Sequence, residues 1–208
     1  MLTPEQIFGF LLAAVAITAA PGPDNLMVLG MGMSKGRLQG AVFGLGCALG
    51  CLSHTVLAVL GVSALIAASP VAFTLLRIVG GAYLVWLGVQ SLRSRGGVRA
   101  ADSGQPDAAL GALLLRGVVA NAVNPKVVLF FLSFLPQFVV PAQGQVAGQM
   151  AVLGVLFTVQ AAVLFGLLAL FAGAIGRWLQ RRPRAGAWLD RAAGALFIGL
   201  GARLLLVR

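Results

Sequence analysis

Residues 7–33 form an apolar run long enough to cross a bilayer, and Pro21-Gly22-Pro23 break it in its middle, directly before Asp24 and Asn25. A second long apolar run, 109–140, breaks at Asn121, Asn124 and Pro125 and is followed at once by Lys126. Hydrocarbon offers no hydrogen-bond partners, so backbone that leaves the helix is tolerated only where protein buries it or where it lines a wet cavity. Two such breaks in matching places confine the chain to a membrane fold with a polar interior, and point to a transport site.

The rest of the chain agrees. With 60% hydrophobic residues and only five acids in 208, it cannot furnish a water-facing surface. Apolar runs of roughly 20 residues or more occupy 7–33, 39–67, 70–92, 109–140, 146–175 and 187–207, leaving nothing for a soluble domain. The expected fold is an all-α integral membrane protein with six transmembrane helices, the first and fourth broken at their proline motifs, forming a single transporter domain over residues 1–208. Ala19-Ala20 could pass for a signal-peptide cleavage site, but no Lys or Arg precedes Lys35 and Glu5 lies near the start, so the basic n-region is lacking and the first run is expected to stay as a span.

A net charge of +10 could suggest a nucleic-acid partner, yet its placement argues for a membrane protein and against nucleic acid. Lys35 and Arg37 fall between the first two runs, Arg93, Arg95 and Arg99 between the third and fourth, and Arg177, Arg181, Arg182, Arg184 and Arg191 around the last turn. The turns at 68–69 and 141–145 carry no basic residue. Basic charge on alternate loops places those three loops in the cytoplasm and both termini outside. Arg203 and Arg208 lie on the other side, where helix-end arginines can snorkel into headgroups.

The chain also repeats itself. Arg77, Gly80 and Tyr83 in the third run are matched by Arg191, Gly194 and Phe197 in the sixth, each at intervals of three. Gly36 and Gly40 before the second run match Gly144 and Gly148 before the fifth, and the first and fourth share the break. The repeats cover about 1–93 and about 109–208, joined by a cytoplasmic linker at about 94–108. Three crossings per copy force the second copy into the bilayer upside down, the inverted-repeat architecture of secondary transporters.

Pro21-Gly22-Pro23-Asp24-Asn25, the glycine-rich run after Lys35-Gly36, the stretch from Gly80 to Gly88, and Asn121 with Asn124-Pro125-Lys126 leading into Phe130-Phe131 together resemble the LysE/RhtB family of amino-acid exporters. The resemblance covers nearly the whole chain and is closer to the homoserine, threonine and leucine efflux branch than to the basic-amino-acid branch. It implies a multi-pass protein of the bacterial inner membrane that moves amino acids or their analogues out of the cytoplasm against protons, with no cofactor and no enzymatic step.

Asp24 and Lys126 each follow a proline in corresponding positions of the two repeats. A charge at a helix centre costs about 2.5 to 3.5 kcal/mol on insertion scales, so neither should face lipid. The broken helices would offer N–H groups and Lys126 its charge to a substrate carboxylate, with Asp24 receiving the ammonium or a proton. The alternative is a buried ion pair that only locks the repeats together. His54, the only histidine, suits either proton relay or a satisfied core position. Asn25, Asn121 and Asn124 could each orient substrate or cap a broken half-helix, with capping expected of Asn124 and a lining role of Asn25. The stripe of Tyr83, Trp86 and Gln90 on one face of the third run is expected to pack against a neighbouring helix.

Other chemistries find little support. Cys47 and Cys51, four apart on one face, read as small apolar residues in a packing helix, and no further thiol joins them to build a metal site. A membrane redox protein would need a catalytic cluster, and a cation efflux protein several intramembrane acids, thiols or histidines. Glycines at 36, 40, 44, 46 and 50 allow close helix approach, either within one subunit or in a homodimer.

Overall fold

The computed structural model describes residues 2–94 and 108–206, all of whose regular elements are helical. The linker with Arg95 and Arg99, and the end of the sixth run with Arg208, lie outside the described residues.

The first helix, α1 (Pro4–Ala19), opens on a reciprocal cap: Gln6 N donates to Thr3 Oγ1 and Thr3 N donates to Gln6 Oε1. It ends where Pro21 withdraws a backbone donor, and α2 (Pro23–Ser34) restarts at 57° to it. The second break behaves alike. Between α6 (Leu110–Ala122) and α7 (Pro125–Leu129) the chain turns by 52°, after which a π-turn at Phe130–Phe134 and a 3₁₀ turn at Leu135–Phe138 prolong α7. Each second half-helix starts on proline at its first position, where a missing N–H costs nothing.

The long helices are α3 (Arg37–Leu57), extended by a π-turn at Ala58–Val62 and α4 (Ser63–Ala68), then α5 (Pro70–Arg93), α8 (Val146–Leu170) and α10 (Pro183–Leu206). The fifth apolar run does not stay one helix: it turns at Phe171, and α9 (Ala172–Arg181) leads off with a strongly one-sided pattern. By length and apolarity, three helices can each cross a bilayer alone, and five spans result if each bent pair counts as one. The sixth expected span falls on α10, which carries Arg184, Asp190, Arg191 and Arg203.

Packing follows the small residues. A Cβ on Gly88 would lie 2.7 Å from the carbonyl of Gly194, and one on Gly194 would lie 2.7 Å from that of Gly88. Gly81 and Gly201 form a second such pair, so α5 and α10 run antiparallel with their backbones in contact. Segment two's glycines serve contacts within the chain: Gly40 meets Gly32 of α2, Gly46 meets Gly117 of α6, and Gly50 meets Asn121. The core is aromatic. Phe10, Phe130, Phe131, Phe134, Phe138 and Phe157 are all buried, with ring centroids from 4.9 to 6.5 Å apart in the pairs that touch. Trp86 meets Tyr83 in a tilted ring contact at 5.4 Å but stays half exposed, so this part of the stripe is not enclosed by a neighbouring helix.

Candidate substrate site

Both breaks converge on one buried cavity. Asp24, Asn25, Asn121 and Lys126 line it together with Ile17, Thr18 and Cys51, and α8 contributes Phe157, Ala161 and Phe165. Its volume open to a water centre is about 10 Å³, room for one water, so the site is closed tightly around its polar groups.

Asp24 and Lys126 occupy the same place in their half-helices, the residue directly after the proline that begins α2 and α7. They are 3% and 7% exposed. Each finds its hydrogen bond across the break in the other half of the chain. Lys126 Nζ donates to the Ala20 carbonyl at the end of α1, at 2.9 Å, where the helix dipole is negative. Its ammonium also lies 5.5 Å from the centre of the Phe197 ring. Asn121, from the end of α6, donates through Nδ2 to Asp24 Oδ2 at 2.8 Å. Asp24 Oδ1 is buried without a hydrogen-bond partner among the described residues.

Asn121 gathers more. Its Oδ1 accepts from Cys51 Sγ at 3.4 Å and its carbonyl lies 3.1 Å from His54 Nε2. His54 therefore stands one residue behind the cavity, ring against Phe131, with Nδ1 unpartnered. Asn124 caps α7, its Oδ1 accepting from Lys126 N at 3.1 Å, and Pro125 occupies the first position of that helix. No cluster of three or more His, Cys, Asp or Glu occurs among the described residues.

Pro21, Gly22 and Pro23 face a second cavity of about 340 Å³, which Asn25 shares with the first. Ser94, Leu179, Gly186 and Asp190 line its other side. Gly22 forms part of the partition, since a Cβ there would lie 2.9 Å from Lys126 Nζ. Asn25 is held in place by its bond to the Thr18 carbonyl at 2.8 Å, and Gln160 of α8 donates to Thr18 Oγ1 at 2.9 Å while its own Oε1 stays buried and unpartnered. At the opposite end the cavity meets Phe130 and Phe157, the inner edge of the aromatic core that continues to Phe138 beside Gln6.

Thr18, Gln160 and the α8 wall were not singled out by the sequence, and Cys51 was read there only as a small packing residue. Gln160 did carry a signal, as one of few polar residues inside the apolar run of α8.

These features describe a membrane protein built around two proline-broken helices and a closed polar cavity. Residues 15–208 match the LysE type translocator family, and the chain belongs to it. It is 37% identical over 195 residues to an uncharacterized membrane protein of Vibrio cholerae, covering 92% of each chain. It is 33% identical to a homoserine/homoserine lactone efflux protein of Salmonella typhimurium over 100% of this chain and 99% of that one. A leucine efflux protein of an Enterobacter strain is 31% identical over 94% of this chain and 92% of its own. No solved structure matches the chain.

Proposed function

We propose that this chain exports amino acids or their close analogues from the bacterial cytoplasm, by alternating access between two inverted three-helix repeats and in exchange for protons. The observation that carries this reading is the presence in one buried cavity of a carboxylate oxygen without a partner, Asp24 Oδ1, and an ammonium, Lys126 Nζ. A zwitterion complements both once the repeats part and open the cavity, which in its closed form has room for one water: its ammonium satisfies Asp24 and its carboxylate meets Lys126. The side chain then falls against Phe157, Ala161 and Phe165, an apolar wall that suits an uncharged substrate. Relatives that are efflux proteins for homoserine or leucine support the substrate class.

Several features support the inverted arrangement. The order of elements, a broken helix and then two long ones, occurs twice, and α5 and α10 meet antiparallel through reciprocal glycine pairs. Gly36 before α3 and Gly144 before α8 both take a positive φ, 112° and 72°. The cross-bonds Lys126 to Ala20 and Asn121 to Asp24 tie each break to the other. With the basic loops in the cytoplasm, the cavity of about 340 Å³ is the inward vestibule and the phenylalanine core is the outer barrier.

Counterflow of labelled amino acids into proteoliposomes tests the reading. Homoserine, threonine or leucine should exchange, lysine and arginine should not, and Lys126→Gln should abolish exchange while the protein still inserts. Exchange of none of them, or full exchange in Lys126→Gln, overturns it.

A further inference from the structure

The turn from α9 to α10 builds a groove outside the closed substrate cavity, sharing Leu189 with the wall of the cavity of about 340 Å³. Trp178, Arg182, Arg184, Trp188, Leu189 and Ala192 line a volume of about 870 Å³. Both indoles are unusually open, Trp178 at 45% and Trp188 at 67% exposure, and Arg191 lies 5.9 Å from the centre of the Trp188 ring. Arg177 and Arg181 add two more positive charges to the same turn. The acid nearby, Asp190, is engaged by the Ser94 hydroxyl.

We propose that this groove is a binding site for one anionic diacyl phospholipid, its phosphate held between Arg182 and Arg184 and its glycerol and upper acyl chains laid over Trp178, Trp188 and the Leu189–Ala192 face of α10. Three features select this occupant. Tryptophan concentrates at the level of lipid headgroups, where its ring is half apolar and its N–H is wet. Guanidinium groups take phosphate oxygens in forked hydrogen bonds, and a basic pocket between helix ends favours an anionic headgroup over a zwitterionic one. The floor is apolar and includes exposed Leu189, which a free phosphate ion would leave uncovered and the acyl chains of a lipid would cover.

The test uses the full chain, purified in detergent, stripped of lipid, and titrated with phosphatidylglycerol, phosphatidylcholine or inorganic phosphate, with binding read by native mass spectrometry and by the melting temperature. Phosphatidylglycerol should bind and raise the melting temperature, phosphatidylcholine and phosphate should not, and added salt should weaken the effect. The double variant Arg182→Gln/Arg184→Gln should bind phosphatidylglycerol about tenfold or more weakly, with amino-acid counterflow preserved. Arg177→Gln/Arg181→Gln removes the same charge outside the groove and should keep most of the binding. Equal binding of the two lipids, equal stabilisation by phosphate, or an equal loss in both double variants overturns the proposal, the last meaning that only the general surface charge attracts lipid. Trp188→Ala is read in the same way if the arginine variant does not fold.

Discussion

Asn121 Nδ2 donates to Asp24 Oδ2 at 2.8 Å and so joins the end of α6 to the start of α2 across 97 positions of chain. The bond leaves Oδ1 of the same carboxylate with no partner among the described residues, although the residue is almost fully enclosed. One oxygen is thus held by Asn121, and the other is the one the proposed substrate ammonium would meet.

Replacing Asn121 with Leu should cost about 1 to 3 kcal/mol of stability, because it strands a buried carboxylate and removes the Cys51 acceptor as well. A lower melting temperature than Asn124→Asp, which retains a capping oxygen, checks this. Equal melting temperatures would show that the Asp24 carboxylate does not depend on Asn121.

Asp24→Asn separates binding from coupling. The amide keeps an oxygen that can accept from the substrate ammonium but carries no charge and cannot titrate, so counterflow should persist at weakened affinity while uphill, proton-driven efflux is lost. Surviving uphill efflux would transfer the proton to another group, with His54→Gln the next variant to measure. Loss of both activities would mean that the substrate ammonium needs the Asp24 charge itself, or that the site fails to assemble, and would leave the proton role unsupported.

Gly22→Ala should place a methyl group on the Lys126 ammonium and push it off the Ala20 carbonyl. The lysine tip is flexible, so the protein should still fold, with its melting temperature little changed. Transport should fall at least tenfold in counterflow assays. Wild-type rates would mean that the position of Nζ beside the first break is unimportant.

Gly88→Ala and Gly199→Ala differ only in what the methyl meets. At Gly88 it runs into the backbone of α10, which cannot yield, and a loss of about 1 to 3 kcal/mol is expected. Nothing lies within 4 Å of a Cβ at Gly199, so alanine there should be neutral or stabilise α10 by up to about 1 kcal/mol. Denaturation midpoints of the two variants, compared side by side, decide the matter.

Reporter fusions at Gly97 and Gly186 should both signal cytoplasm, given the alternating basic loops. A periplasmic signal from either one would reverse the assignment of vestibule and barrier.

The sequence alone determined that the chain lives in a membrane, where its helices break, and which charges stand at the breaks. Those features are local: a proline lacks a donor wherever it falls, and a bilayer magnifies that loss, so Pro21 to Pro23 and Asn124-Pro125 mark interruptions before any packing is known. Tertiary structure decided what surrounds them. α8 is apolar on every side, so no periodic pattern distinguishes Phe157, Ala161 and Phe165, which face the cavity, from Val155 and Val159, which face outward. Likewise Asp24 and Lys126 share a register in sequence, which left both a direct ion pair and a wet cavity open as ways to accommodate them. Asn121 donates to Asp24 and the Ala20 carbonyl accepts from Lys126, and both partners come from the other broken helix, so only the packing of the two halves brings them into reach.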